Sequence, residues 1–154
     1  MTTALITGAS GGIGKTFAQE LASRKNNLVL VARSLEKLNL LAKQLQEQYN
    51  IQVDVIASDL TQPGAAGEIL NTVKEKGLTI DLLINNAGFG DYGDFSDRNS
   101  TRQMEMIQLN IVALVDLTHK FLPLMRERRQ GSIINIASIC CFFKPHPLYP
   151  ISFT

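Results

Sequence analysis

The stretch ALITGASGGIG, residues 4–14, leads from a short apolar run into a glycine-rich loop, and the helical pattern KTFAQELASR follows. Glycines allow a backbone to turn sharply and approach a pyrophosphate, and the amides that open the next helix point at the negative charge. A glycine-rich turn without a ligand is the alternative, but a strand before the loop and a helix after it favour nucleotide binding. The candidate cofactor contacts in this loop are Gly8, Ser10, Gly12, Ile13 and Gly14.

Short β-rich runs alternate with helical patterns along most of the chain. The runs are ALIT, NLVLVA, IQVDVIA, DLLINN and SIINIAS, and candidate helices cover residues 12–24, 34–49, 61–76 and 99–129. Near-continuous apolar strands separated by helices predict a parallel sheet covered on both faces. The sequence therefore predicts an α/β fold: the first five strands of a Rossmann-like, doubly wound parallel sheet. We expect Pro123 to kink or end the last helix.

The composition excludes several classes of protein. The chain has 154 residues, 45% of them apolar, and 15 basic and 14 acidic residues give a formal net charge of +1. Such a length suits one domain, and balanced charge argues against a nucleic-acid partner, which usually requires a concentrated basic face. The N-terminal run MTTALITGAS has no basic leader, and no apolar run is long enough to span a bilayer. We therefore expect a cytoplasmic protein without a membrane span.

The tail, residues 139–154, differs in composition from the rest of the chain. It holds both cysteines and three of the five prolines. The cysteines are adjacent and lack the spacing of a metal site or a disulfide framework, and the prolines interrupt regular helix. The expected organisation is one dinucleotide-binding domain over residues 1–138 followed by an irregular tail, with no metal site.

The spacing T-G-x-x-x-G-x-G of residues 7–14 resembles that of the short-chain dehydrogenase/reductase family, and four later features agree. They are NNAG at residues 85–88, the pair Asp59-Leu60, Asn110 in the long helix and Ser138 after the fifth strand. Each has a simpler explanation alone, since asparagine often ends a strand or caps a helix. Their order and mutual spacing support the resemblance jointly. It implies cofactor contacts from Asp59, Leu60, Asn86, Ala87 and Gly88, and catalytic roles for Asn110 and Ser138.

The end of the second strand bears on the choice of cofactor. NAD-dependent dinucleotide folds usually carry an acidic residue there, which binds the ribose 2′-hydroxyl and repels a 2′-phosphate. This sequence has Ala32 and Arg33 instead. Arg33 can pair with a 2′-phosphate through a charge-assisted bond of about 1.5–3 kcal/mol, so NADP(H) is favoured over NAD(H). The alternative is a solvated arginine at a loop edge.

The resemblance implies hydride transfer between nicotinamide C4 and a small-molecule carbonyl or alcohol. Ser138 would hold the substrate oxygen, Asn110 would support a water in the proton path, and a tyrosine with a lysine four residues later would move the proton. A tyrosine needs a nearby cation to act as a base, because its ordinary pKa is about 10. Tyr149 is the only tyrosine after Ser138, and Phe153 stands four residues beyond it. The tyrosine–lysine pair is therefore absent from this sequence.

We interpret the tail as an out-of-frame segment of a truncated family member. The fifth strand would then be an open edge, which invites aggregation, and the family's oligomer interface would be incomplete. The main expectation is an NADP(H)-dependent oxidoreductase whose activity is impaired in this chain. The alternatives are a non-catalytic NADP(H)-binding module and an inactive remnant.

Overall fold

A computed structural model of the chain describes residues 2–91 and 94–138. A five-stranded parallel sheet lies at its centre. The strands are β1 (Thr3–Thr7), β2 (Asn27–Ala32), β3 (Val53–Ala57), β4 (Leu82–Asn85) and β5 (Ser132–Asn135). Their order across the sheet is β3-β2-β1-β4-β5, so the strand order reverses between β1 and β4.

The connections between the strands are mainly helical. The α-helices are α1 (Gly12–Ser23), α2 (Leu35–Tyr49), α3 (Ala65–Glu75), α4 (Ser100–Ile107) and α5 (Leu114–Arg128). A short 3-10 turn covers Phe95–Asp97, and one π-helical segment covers Gln108–Ala113.

The sheet separates two apolar clusters because neighbouring side chains of a strand point to opposite faces. In β1, Ile6 joins the cluster that includes Ala18 of α1 and Leu38 of α2. Leu5, its neighbour, joins the cluster that includes Ile69 of α3 and Phe121 of α5. Helices therefore cover both faces of the sheet, which confirms the predicted doubly wound α/β fold.

The long predicted helix at 99–129 is divided by the π-helical segment. The backbone widens around Asn110, a residue with low helix propensity whose side chain bonds the backbone of Phe89 on the neighbouring loop. The helix does not end at Pro123: α5 continues to Arg128. A proline removes one helical N–H, and packing of Phe121 and Met125 in the core holds the helix on both sides of this gap.

β5 is the edge strand of the sheet in the described part of the chain, where it pairs with β4 alone. Ile134, in this strand, is 39% exposed. None of the helices in residues 2–91 and 94–138 combines the length and the apolar character that a bilayer span requires. The tail assigned to residues 139–154 lies outside the described residues.

Candidate cofactor site

The glycine loop between β1 and α1 depends on the absence of side chains. Gly8 and Gly12 have φ angles of +66° and +51°, in the left-handed region that other residues rarely adopt. A Cβ at Gly14 would lie 2.4 Å from the carbonyl oxygen of Gly8. At Gly11 and Gly12, by contrast, a Cβ would meet nothing within 4 Å. The loop is therefore tightly packed underneath and open above, as a pyrophosphate at the N-terminus of α1 requires.

Thr7, at the end of β1, ties this loop to the segment that follows β4. Its buried hydroxyl oxygen accepts hydrogen bonds from the backbone N–H groups of Asn86 and Ala87, both at 2.9 Å. The side-chain amide of Asn86 donates in return to the Thr7 carbonyl oxygen at 2.9 Å. The two segments meet where the strand order reverses, the position at which open α/β sheets bind their ligands.

A cavity of about 270 Å³ opens at this edge of the sheet. Seven of the predicted cofactor contacts line it: Gly8, Ser10, Arg33, Asp59, Leu60, Ala87 and Gly88. Four predicted contacts do not line the cavity. Gly12 and the 60% exposed Ile13 lie in the first turn of α1, while Gly14 and Asn86 pack beneath the loop. The structure thus brings together the ends of β1, β2, β3 and β4 around one opening.

Asp59 is held in its ionised form by its own turn. Its carboxylate oxygen accepts hydrogen bonds from the backbone N–H of Thr61 at 3.0 Å and from the Thr61 hydroxyl at 2.8 Å. Burial by itself raises the pKa of Asp59, but these bonds, the positive charge of Arg33 and the Gln62 amide together hold the pKa below its ordinary value. The pair Asp59-Leu60 therefore presents one fixed carboxylate and one buried apolar side chain to the cavity.

The end of β2 brings basic side chains to the same cavity. Arg33, Ser34 and Lys37 all line it, and α2 begins at Leu35 with Ser34 as its N-cap. The side-chain oxygen of Ser34 accepts from the backbone N–H of Lys37 at 3.4 Å. Basic side chains and a helix N-terminus at the same place suit an anion. Together with the glycine loop, these features suit the binding of a dinucleotide.

The segment after β4 forms an aromatic wall. The guanidinium carbon of Arg102 lies 3.7 Å from the centre of the Phe89 ring, a cation–π contact. Asn110 holds the backbone of Phe89, since its side-chain oxygen accepts from the Phe89 N–H at 3.1 Å and its amide donates to the Phe89 carbonyl at 2.9 Å. Phe89 and Arg102 both line the cavity.

Neither of the two predicted catalytic residues lines the cavity. Asn110 is 8% exposed and sits in the π-helical segment, with its side-chain oxygen 3.0 Å from where a Cβ on Gly88 would lie. Ser138 follows β5 by three positions and is half-buried. Tyr149 lies outside the described residues. The catalytic roles of Asn110 and Ser138 remain predictions.

Sequence reasoning missed several residues of this site. Thr7 stands in the quoted motif of residues 7–14 but was given no role, and Thr61 follows Asp59-Leu60 directly. Lys37 and Arg102 had no such signal, because they lie on helices with no motif around them. Lys37 reaches the cavity because α2 packs against β2 and β3, and Arg102 reaches it from α4, where it covers the Phe89 ring.

Comparisons with known proteins agree with this geometry. The sequence profile of the family described as short chain dehydrogenase matches residues 2–150. A Homo sapiens protein named inactive hydroxysteroid dehydrogenase-like protein 1 is 37% identical over 149 residues, which cover 94% of this chain and 44% of that protein. Very-long-chain 3-oxoacyl-CoA reductase from Anas platyrhynchos is 38% identical over 152 residues, covering 94% of this chain and 47% of the relative. The chain thus spans about half the length of these curated relatives.

Solved structures give the same result. A short-chain dehydrogenase from Sphingobium yanoikuyae in complex with NADPH has a TM-score of 0.86 at 37% identity, covering 92% of this chain and 55% of that one. L-sorbose reductase from Gluconobacter frateurii, complexed with NADPH and L-sorbose, has a TM-score of 0.88 at 32% identity, covering 97% of this chain and 56% of that one. The fold, the glycine loop and these matches together show that the chain belongs to the short-chain dehydrogenase family.

Proposed function

We propose that this chain is the cofactor-binding part of an NADP(H)-dependent oxidoreductase. The observation that carries the proposal is the single cavity in which the glycine loop, Asp59-Leu60 and Arg33 meet. Relatives solved in complex with NADPH support the same cofactor. Hydride transfer between the cofactor and a small carbonyl or alcohol is proposed for the whole protein, since the chain spans about half the length of its relatives.

Different residues at the site suit different parts of the cofactor. The open backbone over Gly11 and Gly12, followed by α1, suits the pyrophosphate. Leu60 offers an apolar surface to the adenine, and Asp59 can accept a hydrogen bond from its exocyclic amine. Arg33, at the end of β2, suits a 2′-phosphate, where the carboxylate typical of NAD-binding folds would repel it.

The chemistry requires more than the cofactor cavity. The bound cofactor supplies or accepts a hydride at nicotinamide C4, and the substrate oxygen must gain or lose a proton at the same time. We propose that Ser138 holds this oxygen by a hydrogen bond and that Asn110 fixes the aromatic wall beside it. Tyr149 comes slightly earlier than the family's tyrosine usually does, and Phe153, not a lysine, stands four residues after it. A missing general acid or base typically costs about 10²–10⁴ in rate.

A second candidate function is NADP(H) binding without catalysis. The observation that favours it is the 37% identity to a human relative whose name includes the word inactive, together with Phe153 in place of a lysine. Such a protein would bind NADPH while oxidation of the cofactor by added carbonyl compounds stayed at background. This outcome separates the second candidate from the first.

The test of NADP(H) binding is a fluorescence titration of the chain with NADPH and with NADH. We expect Arg33→Ala to weaken NADPH binding about ten- to a hundredfold, as loss of a charge-assisted bond predicts, and to leave NADH binding nearly unchanged. Arg24→Ala is the matched control, because Arg24 is the 70% exposed residue that directly follows α1, pairs with Glu20 and does not line the cavity. Equal losses for the two cofactors on Arg33→Ala would contradict the assignment.

The origin of the tail requires a separate test. An out-of-frame segment remains our proposal, and the continuation of the family match to residue 150 is an observation that this proposal must explain. Resequencing the coding DNA from the Ser138 codon, followed by translation in all three forward frames, decides the question. A tyrosine–lysine pair in another frame, about a dozen residues after Ser138, would support the frameshift; its absence from every frame would refute it.

A further inference from the structure

Three basic side chains line the cofactor cavity, and their electrostatic surroundings differ. Arg102 lies 3.6 Å from the carboxylate of Glu105 and also covers the Phe89 ring. Arg33 lies close enough to Asp59 for its charge to lower the pKa of that carboxyl. Each arginine therefore has an acidic neighbour that also lines the cavity.

Lys37 is the exception. Within residues 2–91 and 94–138, the ion pairs found do not include Lys37. Asp59 and Glu105 are acidic neighbours of the two arginines, whereas no ion pair in the described part of the chain joins Lys37 to a carboxylate. A solvated surface lysine is the usual explanation for such a residue, but Lys37 lines a cavity.

The backbone holds Lys37 close to Arg33. Arg33 directly follows β2, and Lys37 is the third residue of α2, whose N-cap Ser34 separates the two elements. Leu38, the next residue of the helix, is fully buried, so the first turn of α2 is anchored in the core. The lysine stem is flexible, but the backbone that carries it is fixed beside the end of β2.

We propose that Lys37 is a second specificity residue for NADP(H), whose ammonium pairs with the 2′-phosphate beside Arg33. This inference rests on the proposed function, because it requires the cavity to bind a dinucleotide. The two cations contribute differently: the planar guanidinium of Arg33 gives directional hydrogen bonds, and the compact ammonium of Lys37 gives a point charge. A dianionic phosphate at the N-terminus of α2 would gain from both charges and from the helix dipole.

The test compares two probes that differ only in the 2′-phosphate: adenosine 2′,5′-bisphosphate and adenosine 5′-monophosphate. We expect Lys37→Gln to weaken binding of the bisphosphate about tenfold, as loss of one charge-assisted contact predicts, and to leave the monophosphate unchanged. Lys37→Arg should restore most of the loss. Lys43→Gln is the matched control, since Lys43 lies on the same helix, is 76% exposed and does not line the cavity.

The outcomes separate this inference from the proposed function. If the unmodified chain binds NADPH but Lys37→Gln leaves the affinity for the bisphosphate unchanged, the role of Lys37 is refuted and NADP(H) binding stands. An equal loss for both probes would also refute it, because the side chain would then not distinguish the 2′-phosphate. If the unmodified chain binds neither NADPH nor the bisphosphate, the proposed function fails and this inference fails with it.

Discussion

Gly14 offers the sharpest test of how the glycine loop is built. It is the third residue of α1 and is buried, and an added Cβ would lie 2.4 Å from the Gly8 carbonyl oxygen and 2.6 Å from the Asn86 side-chain nitrogen. The nearer obstacle is backbone, so it cannot move aside by changing a rotamer. Gly14→Ala must therefore displace the loop that carries Gly8, and with it the wall of the cofactor cavity.

The size of the effect follows from two opposing terms. Overpacking of a tight site costs typically about 1–3 kcal/mol, and a contact this close with backbone places Gly14→Ala near the upper limit. Alanine gains up to about 1 kcal/mol over glycine inside a helix. We expect a net loss of about 2 kcal/mol in the free energy of unfolding, with weaker NADPH binding because the loop has moved.

The assay is urea denaturation of Gly14→Ala beside a matched variant, Gly67→Ala. Gly67 is likewise the third residue of its helix, α3, but its added Cβ would meet only the end of the Lys120 side chain, at 3.5 Å. Gly67→Ala should stabilise the protein by about 0.5–1 kcal/mol. If Gly14→Ala proves as stable as Gly67→Ala, the argument from close packing beneath the loop is wrong.

Three further variants test the contacts around the cavity. Thr7→Val leaves two part-buried N–H groups without their acceptor and should cost about 1–3 kcal/mol in urea denaturation; a loss no larger than that of Thr7→Ser would contradict this. Asn110→Ala removes both hydrogen bonds to the Phe89 backbone and should speed hydrogen exchange of the Phe89 amide. An unchanged exchange rate would show that Asn110 does not hold this backbone. Because the pKa of Asp59 is lowered, its ionised form stabilises the fold at neutral pH, and this contribution is lost as the pH falls below about 4. The stability difference from Asp59→Asn should therefore shrink in acid, and a constant difference would refute the account.

The sequence predicted those parts of the site that depend on local chemistry. Positions whose φ angles lie in the left-handed region require glycine, because few other residues tolerate those angles, so the spacing of the loop can be read in the sequence. The alternation of apolar strands and helices predicted the doubly wound sheet, because each strand must be buried on both faces. Arg33 could be placed at the cavity because it directly follows β2, and the carboxyl ends of parallel strands meet at one edge of the sheet.

The break in the long helix could not be predicted in the same way. The apolar pattern of residues 99–129 is continuous, and the sequence gives no sign that Asn110 bonds Phe89, 21 residues earlier. Pro123 shows the converse: its local preference is to interrupt a helix, yet α5 continues because Phe121 and Met125 are packed in the core.

The sequence by itself determined the family motif, the sheet and the residues that stand at strand ends. Local backbone requirements and strand burial impose these patterns directly on the amino-acid order. Only the tertiary structure decided which side chains share the cavity and how their charges balance. Lys37 reaches the opening because α2 packs against β2 and β3, and Arg102 and Glu105 reach it because α4 packs against the π-helical segment. Contacts between elements distant in the chain depend on packing geometry, which leaves no periodic signal in the sequence.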